Sequence, residues 1–388
     1  MTARNEASSP PRHPRFRGDD EAKAVVSLRA RTLGFAGVLL ALLTLATPAR
    51  SQPAADFGAW LAAVKAEAVA GGIRVETVEQ ALSGVVPIDR VLELDRRQPE
   101  FSMSFAQYMT QVVTPRRIKD GRQLWARHRA LLAAVSRRYG VPAPLVVALW
   151  GIESGYGRSV GSFPVVPALA TLAFDGRRSR YFRGELINAL KMVDAGVPAA
   201  RMQGSWAGAM GQCQFMPSTY LAYGQHWDGD GPADIWATPA DVFASAANYL
   251  ARSGWNGDNG WGRPVRLPRH GMAAVLFGLD NARSLADWRR LGVRQADGRP
   301  LRGPADLRAA LVRAETGKGD DVGRGTPYLV TDNFRALMTW NRSVLFAIAA
   351  GTLADRIASQ PPTAQAKGPH VRSRANREGA LAHPSGSR

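Results

Sequence analysis

The sequence predicts an α+β protein, predominantly helical, with a smaller α+β segment inserted before its last helix. Three observations carry this. Apolar residues recur at helical spacing from Asp56 to about Ala251, strand-like alternation is confined to about Arg263–Val330, and helical spacing returns over Asn333–Ile357. The 388 residues, 45% of them hydrophobic, suffice to bury a substantial core and suggest about two domains.

In chain order, Arg29, Arg31 and Thr32 precede an apolar run from Leu33 to Ala46, and Thr47-Pro-Ala-Arg-Ser51 follows. A basic region, a short apolar region and small residues at Ala49 and Ser51 make residues 1–51 an N-terminal extension ending in a signal peptide. The run is short for a spanning helix. With no Cys near the exit, a lipoprotein anchor is not expected.

Residues 52–262 read as one helical domain. Phe57, Trp60, Leu61 and Val64 mark an early helix, and Leu124, Leu131, Leu132 and Val135 recur at the same spacing. Pro142 and Pro144 open the next helix, where a first turn tolerates proline. Its run from Leu145 to Ile152 is almost wholly apolar, the mark of a helix buried on most sides. Residues 263–330 are rich in Gly, Pro and Arg, with Val265-Arg-Leu267 as a candidate strand, and read as a small α+β insertion. Residues 331–359 read as a single C-terminal helix completing the helical domain, with Phe334, Leu337, Val344, Leu345 and Ile348 on its apolar positions. Residues 360–388 are nearly free of apolar side chains and read as a disordered basic tail.

A formal charge of +18 suits a polyanionic partner: nucleic acid, anionic lipid or bacterial cell wall. Free use of Arg by a high-GC genome accounts for the charge equally well. The Arg residues are spread along the chain, not interleaved with aromatics in a stripe, which argues against a nucleic-acid binder. Cys213 is the one cysteine, so neither an internal disulfide nor a thiolate metal cluster can form. The six His residues are scattered and never occur as HExxH or HxH.

The sharpest chemical feature is Ala148-Leu-Trp-Gly-Ile-Glu-Ser-Gly-Tyr-Gly157. Glu153 closes a nearly all-apolar helix that Gly155 and Gly157 then break. A buried carboxyl with no cationic partner rises in pKa and stays protonated near neutrality, as a general acid requires. A structural Glu capping a neighbouring helix would look the same at this point. Gly204-Ser-Trp-Ala-Gly-Ala-Met-Gly-Gln-Cys-Gln-Phe-Met-Pro-Ser-Thr-Tyr220 combines small residues, amides and aromatics. Its glycines allow close backbone approach, Gln214 can bond a sugar amide or hydroxyl, and Tyr220 or Trp206 can stack on a pyranose face. A tightly packed Gly-rich hairpin is the plain alternative.

From about Phe57 to Ile357 the chain resembles the lytic murein transglycosylases of the membrane-bound B type. Four motifs carry the resemblance: Gly151–Gly157, Ala168–Phe174 with Arg177-Arg178 and Tyr181-Phe182, Gly204–Tyr220, and Ala246–Ala251 before Gly254-Trp255. A late echo is Trp340-Asn-Arg-Ser343 followed by Leu353-Ala-Asp-Arg-Ile357. The resemblance implies a lysozyme-like catalytic domain and cleavage of the MurNAc–GlcNAc β-1,4 bond with formation of 1,6-anhydromuramoyl ends. Glu153 would be the sole acid/base, assisted by the muramoyl N-acetyl group. It further implies that Ser205 orients that group with Asn341, that Gln214 and Tyr249 lie in the groove close to the acid, and that Arg177 and Arg178 meet lactyl or stem-peptide carboxylates. The family often has Tyr where this chain has Trp340, and can have a further Tyr where it has Phe346. Most glycosidases use two carboxylates. The only other Glu between Val141 and Gly260 is Glu185, which reads as a charge at the start of its own helix.

His226-Trp-Asp-Gly-Asp-Gly-Pro-Ala-Asp234 resembles a calcium loop, with Asp228 and Asp230 at alternate positions, Gly231 sixth and Asp241 within reach. His226 in first place and the missing terminal Glu favour a plain Asp/Gly turn. Asp234 can cap the helix that follows. No cofactor is required, and a structural Ca²⁺ is the one candidate. The expected protein is a periplasmic monomer acting on peptidoglycan glycan strands, an address compatible with weak association with the cell-wall synthesis machinery. Its rivals are a hydrolytic muramidase or chitinase and a non-catalytic wall-binding scaffold.

Overall fold

The computed structural model describes residues 54–97, 103–176, 178–229, 231–269, 272–314 and 325–359. The expected signal peptide and basic tail, and with them Arg177 and Asp230, lie outside the described residues.

Helices fill most of the described chain. First come α1 (Ala54–Ala70), α2 (Val75–Ala81), α3 (Asp89–Arg96), α4 (Phe105–Val112), α5 (Pro115–Arg127) and α6 (Arg129–Tyr139). Then follow α7 (Ala143–Ser154), α8 (Val165–Phe174), α9 (Ser179–Asp194), α10 (Pro217–Tyr223) and α11 (Pro239–Arg252). The last are α12 (Leu285–Arg290), α13 (Asp332–Trp340) and α14 (Val344–Ala358). Their boundaries follow local chemistry. Ser104 and Gln107 form a capping box for α4, Thr114 accepts from Arg117 N ahead of Pro115 in α5, and Gly140 (φ 68°) ends α6 in the left-handed region.

The early helices α1–α3 pack on α8 and α9. Asp194 at the end of α9 fastens α2, accepting from Arg74 Nε at 2.8 Å and Thr77 Oγ1 at 2.7 Å. At the centre lies α7, whose residues Leu145 to Gly151 are all buried. Helices α5, α6, α11 and α14 surround it. Helix α14 is buried along most of its length and packs on α7, while a Cβ on its Gly351 would lie 2.3 Å from Trp261 Cδ2.

The single helix expected over 331–359 is two. Asn341 leaves α13 in extended conformation (φ −145°, ψ 124°), and Ser343 accepts from Phe346 N to cap α14. Asn341 Oδ1 also accepts from Ser343 N at 3.0 Å. Short polar side chains thus offer the backbone an alternative to helical bonding across a stretch whose apolar spacing continues. The break leaves Trp340 at an exposed helix end.

Strands β1 (Phe163–Pro164) and β2 (Gln203–Gly204) form a short antiparallel pair. A five-stranded antiparallel sheet holds β3 (Gly262–Arg266), β4 (Arg283–Ser284), β5 (Arg294–Gln295), β6 (Arg308–Ala314) and β7 (Thr326–Val330), in the order β4-β6-β7-β3-β5. Strand β6 shows little polar alternation because both its faces are covered. Ala310, Val312, Ala314, Tyr328 and Val330 face the main core, while Val265, Ala309, Leu311 and Leu329 join Leu285 and Trp288 in a second, smaller one. The sheet is therefore anchored to the helical part. Trp261 at its edge reinforces this by donating to Asp355 Oδ2 of α14 at 3.0 Å.

Candidate active site

The motif around Glu153 is a sharp turn built against its own helix. Gly155, Tyr156 and Gly157 have φ of 58°, 66° and 79°, so the chain reverses directly after α7. Tyr156 folds back along the helix and donates from its hydroxyl to Arg117 O at 2.6 Å. A Cβ on Gly151 would lie 2.6 Å from Tyr156 Cζ, and one on Gly157 would lie 2.4 Å from Gln212 Oε1. These two glycines are therefore required by close approach. Ser154 closes the turn, donating to Trp150 O at 3.2 Å and accepting from Gly157 N at 3.0 Å. Gln212 joins this turn to the Gly-rich block, accepting from Trp150 Nε1 and donating to Trp236 O, both at 2.7 Å.

Glu153 is half-buried, packed among Leu149, Cys213, Phe243, Ala246 and Trp340. Among the described residues its hydrogen-bond partner is the indole of Trp340, whose Nε1–H donates to Oε1 at 2.8 Å. Burial pushes the carboxyl up to about 7, and the indole bond opposes that rise in part. A carboxyl in this range is able both to give and to take a proton near neutrality.

Ser205 lies on the turn after β2, where its Oγ accepts from Ala209 N at 3.0 Å and its proton remains available to donate. Gln214 (φ 51°) spends Nε2 on Gly211 O at 2.8 Å and Val160 O at 3.1 Å, which leaves its Oε1 to accept. Asn341 is exposed beside Trp340, with Nδ2 facing no described partner.

Four sequence expectations need correction. Tyr220 is buried and donates to Ala233 O at 2.7 Å, so it offers no ring face to a sugar. Tyr249 lies close to the acid, its ring 4.9 Å from that of Trp340, but it is buried and donates to Thr339 O at 2.7 Å, so it supports the indole and does not line an open groove. Arg178 forms an ion pair with the buried Asp95 of α3 and stacks over Phe182, which commits its guanidinium to the fold. Glu185 is mid-way along α9, where it accepts from Ser218 N at 2.9 Å and Ser218 Oγ at 2.7 Å and so caps α10.

The described residues of the loop from His226 to Asp234 do not present a ligand set for a hard cation. Asp241 is 1% exposed and accepts from Trp227 N at 2.9 Å, Asp234 N at 2.7 Å and His226 Nδ1 at 3.0 Å. Its carboxylate thus occupies the centre of the loop with protein donors, while Asp228 is exposed at the rim. No three His, Cys, Asp or Glu side chains among the described residues converge on a metal position. Asp234 caps its own turn, accepting from Trp236 N and Ala237 N.

Tyr108 of α4 escaped the sequence reading. It is half-buried, and burial together with the nearby Glu153 charge raises its phenol pKa. Its helix carries only an amphipathic pattern, which gives no chemical signal.

The mainly helical fold, with the carboxyl of raised pKa at the end of its central helix, suits a glycan-cleaving enzyme. The family model described as "Transglycosylase SLT domain" matches residues 56–355. The chain belongs to that family and is a lytic transglycosylase. It is 31% identical over 300 residues to membrane-bound lytic murein transglycosylase B of Escherichia coli K12, covering 74% of this chain and 79% of the relative. The crystal structure of SltB3 from Pseudomonas aeruginosa in complex with NAG-anhNAM-pentapeptide matches with a TM-score of 0.73 and 42% identity, over 79% of this chain and 80% of that one. The Escherichia coli lytic transglycosylase Slt35 in complex with calcium matches with a TM-score of 0.63 and 30% identity, over 77% and 92%.

Proposed function

We propose that this enzyme cleaves the MurNAc–GlcNAc β-1,4 bond of periplasmic peptidoglycan without water, using Glu153 alone as acid and base. The supporting observation is the Glu153 carboxyl at the end of α7, bonded to the Trp340 indole and raised in pKa to about 7. Protonated Glu153 gives its proton to the glycosidic oxygen as the C1–O4 bond breaks and the GlcNAc hydroxyl leaves. The muramoyl N-acetyl oxygen closes on C1, its amide taking up the positive charge, and Ser205 donates a hydrogen bond that orients the group. The Glu153 carboxylate then removes the proton from the sugar's own 6-hydroxyl. O6 attacks C1, the N-acetyl group is released, and a 1,6-anhydro ring results with Glu153 protonated again.

The SltB3 complex, whose ligand contains anhNAM, supports this product class. Because Glu185 is spent on Ser218, it is no candidate for the second carboxylate of a hydrolytic pair. The His226–Asp234 loop works, in this reading, through Asp241 without a cation.

Digestion of purified sacculi with the mature protein, followed by mass spectrometry of released muropeptides, tests the reading. Anhydromuropeptides about 18 Da lighter than hydrolysis products are expected, because no water is added across the bond. The Glu153→Gln variant should release none. Reducing-end products from the native enzyme would instead establish a hydrolase.

A further inference from the structure

We infer that Trp340 is a positioning residue that fixes which oxygen of Glu153 carries the proton. The inference rests on the acid role proposed above and goes beyond it. An indole N–H donates and cannot accept. Aimed at Oε1 from 2.8 Å, it requires that oxygen to accept in both protonation states. When Glu153 is ionised, Oε1 is a carboxylate oxygen. When Glu153 is protonated, Oε1 is the carbonyl oxygen, because a carboxylic hydroxyl oxygen delocalises its lone pair and accepts poorly. The proton therefore resides on Oε2. A phenol in the same place would impose no such direction, since a phenolic hydroxyl both donates and accepts.

The indole is held in place from two sides. Its ring lies 4.9 Å from Tyr249, edge to face, and 5.3 Å from Phe215. Tyr249 is itself fixed through Thr339 O and lies 4.6 Å from Tyr223. The break at Asn341 supplies the remaining constraint, because it ends α13 at the tryptophan. The other titratable groups near Glu153 are Tyr108 from α4 and Cys213 from the Gly-rich block, and both are neutral near pH 7 because burial raises their pKa values. Among the described residues, no Arg, Lys or second carboxylate joins those packed around Glu153. Among the described residues, the indole is the polar group bonded to one of the two oxygens.

The experiment compares the native enzyme with Trp340→Phe, Trp340→Tyr and Glu153→Gln on soluble glycan strands across pH. Trp340→Phe removes the donor, so the alkaline limb of kcat/KM should move up by roughly half a unit to one unit, and kcat on the acid side should fall about three- to tenfold. Trp340→Tyr restores a donor without its direction, so it should return the limb toward its native position while kcat on the acid side stays low. An unshifted limb in a folded Trp340→Phe variant would overturn the inference. A measurement on the native chain guards against a variant that does not fold. The Trp340 indole ¹H–¹⁵N resonance should titrate near pH 7 and lose that inflection in Glu153→Gln. A resonance that stays fixed through the titration would overturn the inference by itself. Activity surviving in Glu153→Gln, by contrast, would sink the acid assignment, so the two failures are distinguishable.

Discussion

The ring of Tyr156 occupies the space where Gly151 lacks a side chain, with Cζ 2.6 Å from the place a Cβ would take. The catalytic turn is thereby locked to the helix that carries Glu153. Trp150 adds an edge-to-face contact with Tyr156 at 5.4 Å. Gly151→Ala should displace the ring and cost about 1–3 kcal/mol of overpacking, seen as a lower Tm. Turnover should fall with it, since Glu153 follows on the same helix. Tyr156→Phe keeps the ring and loses only the bond to Arg117 O, so it should cost about 1 kcal/mol and retain most activity. A Gly151→Ala enzyme with native Tm and turnover would contradict this packing argument.

Glu153 trades stability for reactivity, and the sign of the trade fixes a pH window. Its folded pKa of about 7 lies above the ordinary 4.5, so the folded protein keeps a proton that the unfolded chain releases between those values. Stability therefore falls as pH rises through that window, and the full cost is present above it. Glu153→Gln cannot ionise. It should be nearly neutral at pH 4 and raise stability by about 3 kcal/mol at pH 8, a difference given by the size of the shift. Denaturant titrations of both proteins at the two pH values measure it. Equal gains at both would mean that Glu153 titrates normally.

The parts of the site legible in the sequence are those where chemistry forces a local pattern. Glu153 stood out because a carboxyl closing an apolar helix is costly, and Gly155 and Gly157 because they break that helix directly after it. Long-range partners were not legible. Asp95, which pairs with Arg178, comes from another helix far upstream, and nothing in Arg177-Arg178 distinguishes a structural guanidinium from a binding one. Tyr220 shows the same ambiguity, because a ring on a short helix looks alike whether it turns to solvent or to Ala233 O. The split of the last helix was hidden by apolar spacing that continues across Asn341. In the insertion, the sheet was recognisable, but its sharing of two cores depends on contacts that no local alternation records.

Asp241 holds the His226–Asp234 loop by accepting from Trp227 N, Asp234 N and His226 Nδ1. Asp241→Ala would leave those donors without this acceptor inside the protein, and should cost about 3 kcal/mol. Because the carboxylate does the work of a cation in organising the loop, EDTA should leave Tm and turnover unchanged, and added calcium should not raise Tm. A chelator-induced fall in Tm, reversed by calcium, would show that a cation belongs there.

Arg178 separates a structural from a substrate-binding guanidinium by kinetics. Its ion pair with Asp95, which is 1% exposed, pins α3 to the start of α9, and its own backbone sits at φ 55°. Arg178→Ala removes the cation facing a buried carboxylate and should destabilise the fold by roughly 3 kcal/mol. Uniform substrate binding, when lost, raises KM at constant kcat. Arg178→Ala should instead leave KM on peptide-bearing glycan within about twofold of native at temperatures where the variant is folded. Arg178→Lys, which keeps the charge but not the forked geometry, should fall between the two in Tm. A native Tm combined with a much higher KM would return Arg178 to the substrate.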